Sequence, residues 1–111
     1  MTTLRRTSDP GSPMADLVSL PYPTSKTALN MVTVLYAKEL WGTAVKVNAA
    51  NPGDCATDLN DHSGFRTATQ GAETVVHLVT LGDDGPTGSF YGHIWRTDPR
   101  PGDPELGSLP W

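Results

Sequence analysis

Ala44-Val45-Lys46-Val47-Asn48-Ala49-Ala50 runs directly into Asn51-Pro52-Gly53-Asp54-Cys55-Ala56-Thr57-Asp58-Leu59. Val45, Val47 and Ala49 alternate with Ala44, Lys46, Asn48 and Ala50, the period of a strand, and Pro52-Gly53 stops it sharply. On both sides the period changes to that of a helix. Upstream, Ala28, Leu29, Val32, Leu35, Tyr36 and Leu40 recur at helical spacing, while Met31, Val34 and Ala37 widen the apolar stripe past one narrow face. Thr24 or Ser25 can cap this helix, with Pro23 near its start, and Gly42 ends it just after Trp41. Downstream, Ala72, Val75, Val76, Val79 and the pair Leu78 and Leu81 mark a second helix over residues 70–81, closed by Gly82, and Ser89–Trp95 reads as a second strand. The order helix, strand, helix, strand predicts an α/β unit in which a right-handed crossover joins two parallel strands. A first helix this apolar calls for burial on more than one side, against a sheet and a neighbouring subunit, and this chain alone is expected to expose an apolar edge and two apolar helix faces.

The ends of the chain read differently. Seven of the ten prolines lie there, so residues 1–21 are expected to be a Pro/Gly-rich leader and residues 97–111 an irregular Pro-rich tail. Met14-Ala15-Asp16-Leu17-Val18 can form a short turn within the leader. Eight basic against twelve acidic residues give a net charge of −4, which leaves no basic footprint for nucleic acid or an anionic membrane. No apolar run is long enough to span a bilayer. Arg5 and Arg6 are followed by the polar, turn-rich Ser8–Pro13 where a signal peptide needs an apolar stretch. The single cysteine, Cys55, excludes an internal disulfide and fits a reducing, cytoplasmic compartment.

Chemistry enters at Tyr22-Pro23-Thr24-Ser25-Lys26, which sets a phenol and an ammonium at i and i+4 on one helix face. A fixed positive charge one turn away favours a phenolate over a phenol, which makes Tyr22 a candidate proton donor and acceptor and Lys26 its electrostatic partner. The pattern is weak by itself; an exposed tyrosine at a helix start and a solvated lysine explain it equally well. Pro52, Gly53, Asp54 and Cys55 follow the carboxyl end of a strand, where open α/β sheets hold ligands, although Pro-Gly is also a common turn.

Taken in order, Tyr-x-x-x-Lys, a long helix, a strand, a Pro-Gly loop ending in Thr57-Asp58, a helix and a last strand resemble the short-chain dehydrogenase/reductase family over about residues 22–96. Gly82-Asp83-Asp84-Gly85-Pro86-Thr87-Gly88-Ser89-Phe90-Tyr91 looks most like its carbonyl-reductase-like branch. The resemblance implies the C-terminal part of a Rossmann-like, doubly wound parallel sheet, incomplete without an N-terminal half. It implies an oxidoreductase acting on a small carbonyl or alcohol, with Tyr22 as acid/base and Lys26 also touching the nicotinamide ribose. Pro52, Gly53, Asp54 and Cys55 would face the nicotinamide, and Thr57 would reach its carboxamide or a phosphate oxygen, unless Thr57 merely caps the next short helix. The branch points to NADP(H) over NAD(H), and in it an insertion before the tyrosine covers part of the substrate site, a second reading of residues 1–21.

Two parts of the family pattern do not occur. No G-x-G-x-x-G cluster is present to cradle a pyrophosphate at a helix N-terminus. No strand carrying a serine precedes Tyr22, and Ser8, Ser12 and Ser19 are left unassigned. The alternative is therefore a non-catalytic remnant, or a module that associates with other subunits through exposed helix faces. His62, His77 and His93 lack metal-ligand spacing and are expected at the surface or on a helix, so no metal is expected; Asp54, Asp58 and Asp61 lack the glycine and glutamate of a calcium loop.

Overall fold

The computed structural model describes residues 8–11, 15–16, 18–93 and 106–111. Helix α1 spans Pro21–Glu39, β1 Ala49–Asn51, a 3₁₀ turn Asp58–Asn60, α2 Ala68–Val79, β2 Phe90–His93 and β3 Leu106–Leu109. The strands form one sheet in the order β1-β2-β3. β1 and β2 are parallel, with Ala49 opposite Phe90 and Asn51 opposite Gly92, and α2 connects them, as the sequence order predicts. The chain is thus α/β with a mixed sheet.

Helix α1 begins earlier than its capping residues suggest. Leu20 occupies the cap position with no side-chain hydrogen bond, and Pro21 takes the first helical position. Prolines cost nothing there, because the first amides of a helix have no intrahelical acceptor and the proline φ is already helical. Thr24 and Ser25 therefore lie inside the helix, and the Ser25 hydroxyl donates back to the Tyr22 carbonyl at 2.8 Å. The other end stops as expected: Leu40 N–H still reaches the Tyr36 carbonyl, and Gly42 turns the chain with φ +89. Helix α2 starts at a reciprocal cap in which the Gln70 amide donates to Thr67 Oγ1 at 3.1 Å and the Thr67 amide to Gln70 Oε1 at 2.8 Å.

The first strand is shorter than Ala44–Ala50. Its amino-terminal half bonds to a turn in place of a ladder: Val47 N–H donates to Thr87 Oγ1, Gly88 N–H to the Val47 carbonyl, and Ser89 N–H to Asn48 Oδ1. Facing Pro86, which has no amide hydrogen, Asn48 reaches the Pro86 carbonyl with its side chain at 2.8 Å. Ile94 and Trp95, at the end of the expected second strand, lie outside the described residues, as do 12–14, 17 and 97–105. Leu106–Leu109 corrects the expectation of an irregular tail. This proline-free tetrapeptide, bracketed by Pro104 and Pro110, pairs antiparallel with β2, and the Trp111 ring stacks on Phe90 at 5.6 Å.

The apolar faces of both helices are exposed, as expected of this chain alone. Only Thr33 and Ala37 of α1 are buried, whereas Leu29, Met31, Val32, Leu35 and Tyr36 are exposed, as are Val75, Val76 and Val79 of α2. Among the described residues the buried hydrophobic side chains are Ala37 and Phe90, and the other buried side chains are polar: Thr33, Asn51, Arg66, Thr74 and His93. Four of these five gather where β1 and β2 end.

Candidate functional site

Two groups of residues make up the candidate site, one at the start of α1 and one after β1. In the first, the four-residue spacing of Tyr22 and Lys26 on a continuous helix stacks one over the other. Lys26 Nζ lies 5.5 Å from the centroid of the Tyr22 ring, within the range of a cation–π contact, and both side chains are open to solvent. The ammonium is therefore held over the ring that carries the phenol.

The second group is the loop from Pro52 to Thr57. Gly53 turns it with φ +80, and its amide donates to Asn51 Oδ1 at 2.9 Å. A short parallel bridge then ties it to Arg66: Arg66 N–H donates to the Asp54 carbonyl at 3.1 Å and Ala56 N–H to the Arg66 carbonyl at 2.8 Å. Asn60 closes the loop from below, with Nδ2 donating to Asp54 Oδ1 and to the Cys55 carbonyl, and Oδ1 accepting the Thr57 amide at 3.0 Å. Thr57 stands at the N-cap position of the 3₁₀ turn, where its backbone bonds to Asn60 but its side chain makes no cap hydrogen bond. Pro52 and Asp54 are exposed; Gly53, Cys55 and Thr57 are half-buried.

Close approach depends on small residues. At Gly71 a Cβ would strike Cys55 Sγ and meet Pro52 Cβ at 3.3 Å, so this glycine lets α2 pack against the loop. Thr74, fully buried one turn on, donates to the Asn51 carbonyl at 3.3 Å. At the floor of the loop Arg66 Nη2 donates to the Gln70 carbonyl at 2.5 Å and lies 2.6 Å from His93 Nε2; an arginine only donates, so the imidazole nitrogen accepts. Glu73 Oε2 stands 3.7 Å from Arg66 Nη2 and 3.9 Å from His93 Nε2.

Tyr22 and Lys26 are brought together, and Pro52–Thr57 form one loop, but among the described residues no hydrogen bond or ion pair joins the two groups. His93 corrects the expectation of a surface or helix histidine: it lies on β2 and is 8% exposed. His77 is on α2, as one of the two expected settings has it, stacked on Tyr91 at 5.1 Å, and the exposed His62 pairs with Asp58 at 3.0 Å. Among the described residues no cluster of three or more His, Cys, Asp or Glu side chains could hold a metal ion, and no helix is long and apolar enough to cross a membrane. Sequence reading missed Arg66, Gly64, Gly71 and Thr74, since an arginine or threonine carries no mark of burial. A glycine inside a helical pattern, as at Gly71, was the one available signal. A hollow of about 480 Å³ between Leu40–Thr43 and Gly85–Thr87 lies at the opposite, amino end of the strands.

No family model matches the chain. Curated relatives do. The chain is 39% identical over 70 residues to (+)-neomenthol dehydrogenase of Capsicum annuum, and 41% identical over 70 residues to salutaridine reductase of Papaver bracteatum. Each match covers 63% of this chain and 22% of the relative. A short-chain dehydrogenase of Penicillium roqueforti is 35% identical over 69 residues, 61% of this chain and 27% of its own. The solved structure of salutaridine reductase from Papaver somniferum superposes with a TM-score of 0.57 at 40% identity, over 62% of this chain and 23% of that one. The chain thus spans about a fifth to a quarter of the length of these proteins, and over that segment it is similar to short-chain dehydrogenases/reductases.

Proposed function

We propose that this chain contributes the proton-transfer helix and the nicotinamide-side loop of an NAD(P)(H)-dependent oxidoreductase that interconverts a small-molecule carbonyl and its alcohol. The observation that carries this reading is the Lys26 ammonium 5.5 Å from the centre of the Tyr22 ring on the first turns of α1. The names of the relatives, after (+)-neomenthol and salutaridine, support a small molecule as substrate. Resemblance to the carbonyl-reductase-like branch favours NADP(H) over NAD(H). The lone Cys55 favours a cytoplasmic setting.

The residues present fit the nicotinamide end of such a cofactor. Pro52 and Asp54 stand exposed at the carboxyl end of β1, and Gly53 makes the turn that lets backbone approach a flat ring. For the pyrophosphate end the sequence offers no Gly-rich cradle. When bound, the nicotinamide supplies or accepts the hydride. In the reducing direction Tyr22 Oη gives its proton to the substrate oxygen as that oxygen becomes an alcohol; in the oxidising direction it takes the proton back. Lys26 would hold the phenol in place and donate to the ribose. The backbone of Pro52–Cys55 would line the nicotinamide, and Thr57 would reach its carboxamide or a phosphate oxygen.

The test is Tyr22→Phe in the protein isolated from its natural source, whose intact mass is measured first. Loss of the proton donor should lower carbonyl reduction by roughly 10²-fold or more, with NADPH affinity little changed. Reduction that survives Tyr22→Phe undiminished removes Tyr22 from the chemistry.

A further inference from the structure

Arg66 is 7% exposed, and a buried arginine is unusual unless something needs it there. Its surroundings do not describe a stabilising ion pair. Glu73 is more than half exposed and 3.7 Å away, a weak partner. The guanidinium Nε is buried without an acceptor. What the side chain does contact is the loop after β1. An ideal Cβ at Gly53 would fall 2.6 Å from Arg66 Cδ and 3.3 Å from Nε, so the arginine stem occupies the side of Gly53 on which any other residue would carry its side chain. The same residue binds the loop backbone on both edges through Asp54 and Ala56, and its Nη2 reaches the Gln70 carbonyl of α2 and His93 of β2.

We propose that Arg66 is the positioning residue of the Pro52–Cys55 loop. Its stem is the floor under Gly53, and its guanidinium fastens that floor to α2 and β2, so that the loop, α2 and the end of β2 move as one body. The unpartnered Nε belongs with a side chain fixed by shape at a site. For a nicotinamide lying on this loop, which rests on the function proposed above, Arg66 sets the approach of the ring without touching it.

Cys55 reports on the loop independently of any cofactor, because its Sγ is packed against Gly71 and directed at the Pro52 carbonyl, 3.5 Å away. Its rate of alkylation by iodoacetamide in the full chain therefore measures loop opening. Arg66→Met keeps the stem and the backbone bridge but removes the charged hydrogen bonds, and should raise that rate roughly tenfold. His93→Gln, which keeps an acceptor for Nη2, should stay within about twofold of wild type, whereas His93→Leu should follow Arg66→Met. A role in bulk stability alone would not separate Gln from Leu this way. Should Arg66→Met fail to fold, the His93 pair decides the matter. Wild-type alkylation in Arg66→Met, or equal rates for His93→Gln and His93→Leu, overturns the proposal. Carbonyl reduction by the protein from its natural source separates the two ideas: faster alkylation in Arg66→Met together with reduction that survives Tyr22→Phe undiminished overturns the proposed function and leaves the positioning role standing.

Discussion

Replacing Gly64 by alanine should open the loop after β1 more severely than its chemistry suggests. A Cβ there would fall inside van der Waals contact of the Cys55 carbonyl carbon and the Ala56 nitrogen, and 2.7 Å from the Asp54 oxygen. All three are backbone atoms, so no side chain can swing aside, and ordinary carbon contacts need about 3.5–4.0 Å. The loop must retreat by about 1 Å, which breaks the two bonds that tie it to Arg66, Ala56 N–H to the Arg66 carbonyl at 2.8 Å and Arg66 N–H to the Asp54 carbonyl at 3.1 Å. At about 1 kcal/mol each, with a comparable amount for residual strain, the cost is about 2–4 kcal/mol. Gly42 is the control: its φ is +89, yet nothing lies within 4 Å of its Cβ position, so Gly42→Ala should cost only the backbone strain, about 1 kcal/mol. Native-state amide exchange at Ala56 and Arg66 reads the difference. Protection unchanged in Gly64→Ala, or lost equally in Gly42→Ala, would refute the close packing of this loop.

Three further outcomes follow from the packing. Thr67→Ala removes one half of the reciprocal cap with Gln70 and should destabilise α2 by about 1 kcal/mol, read from the helical circular-dichroism signal against urea. Trp111→Ala takes away the ring stacked on Phe90, one of the buried hydrophobic side chains, and should detach β3 before the β1–β2 pair, visible as faster exchange of amides 106–109 than of 90–92. With its apolar helix faces in solvent, the isolated chain should lack a cooperative unfolding transition at low concentration and should self-associate as concentration rises. A monomer that melts cooperatively with a well-dispersed amide spectrum contradicts that expectation.

Period and punctuation were enough to read the middle of this fold. Pro52-Gly53 located the stop of the first strand, and the helical spacing about Val75 and Val79 located α2 to within two residues, because each signal is local. Boundaries set by tertiary context were not legible. Whether Ala44–Asn48 ladders with a neighbour depends on Pro86 and Gly88 forty residues away, and β3 depends on a partner strand that the prolines around it conceal. At the candidate site, Tyr22 and Lys26 were legible as a spacing and the loop as a motif. Arg66, Gly64 and Thr74 were not, since what singles them out is the surface they meet and not their own chemistry.

These burials also bear on where the molecule spends its stability. The apolar positions that the helical period marks most clearly, Leu29, Val32, Leu35, Val75 and Val76, are all at least two-fifths exposed, while Asn51, Arg66, Thr74 and His93 are among the most buried side chains described. Apolar burial has no direction, so it can hold a helix against a sheet without fixing a loop. The hydrogen bonds that Thr74 and Arg66 donate to backbone carbonyls, and that Asn51 Oδ1 accepts from the Gly53 amide, are directional and lose much of their strength when displaced by an ångström. A chain organised in this way is ordered most tightly around Pro52–Cys55 and least around its helix faces. Its function is therefore expected to be more sensitive to polar substitutions under that loop than to apolar truncations along α1, the reverse of what holds for a protein whose core is its site of greatest burial.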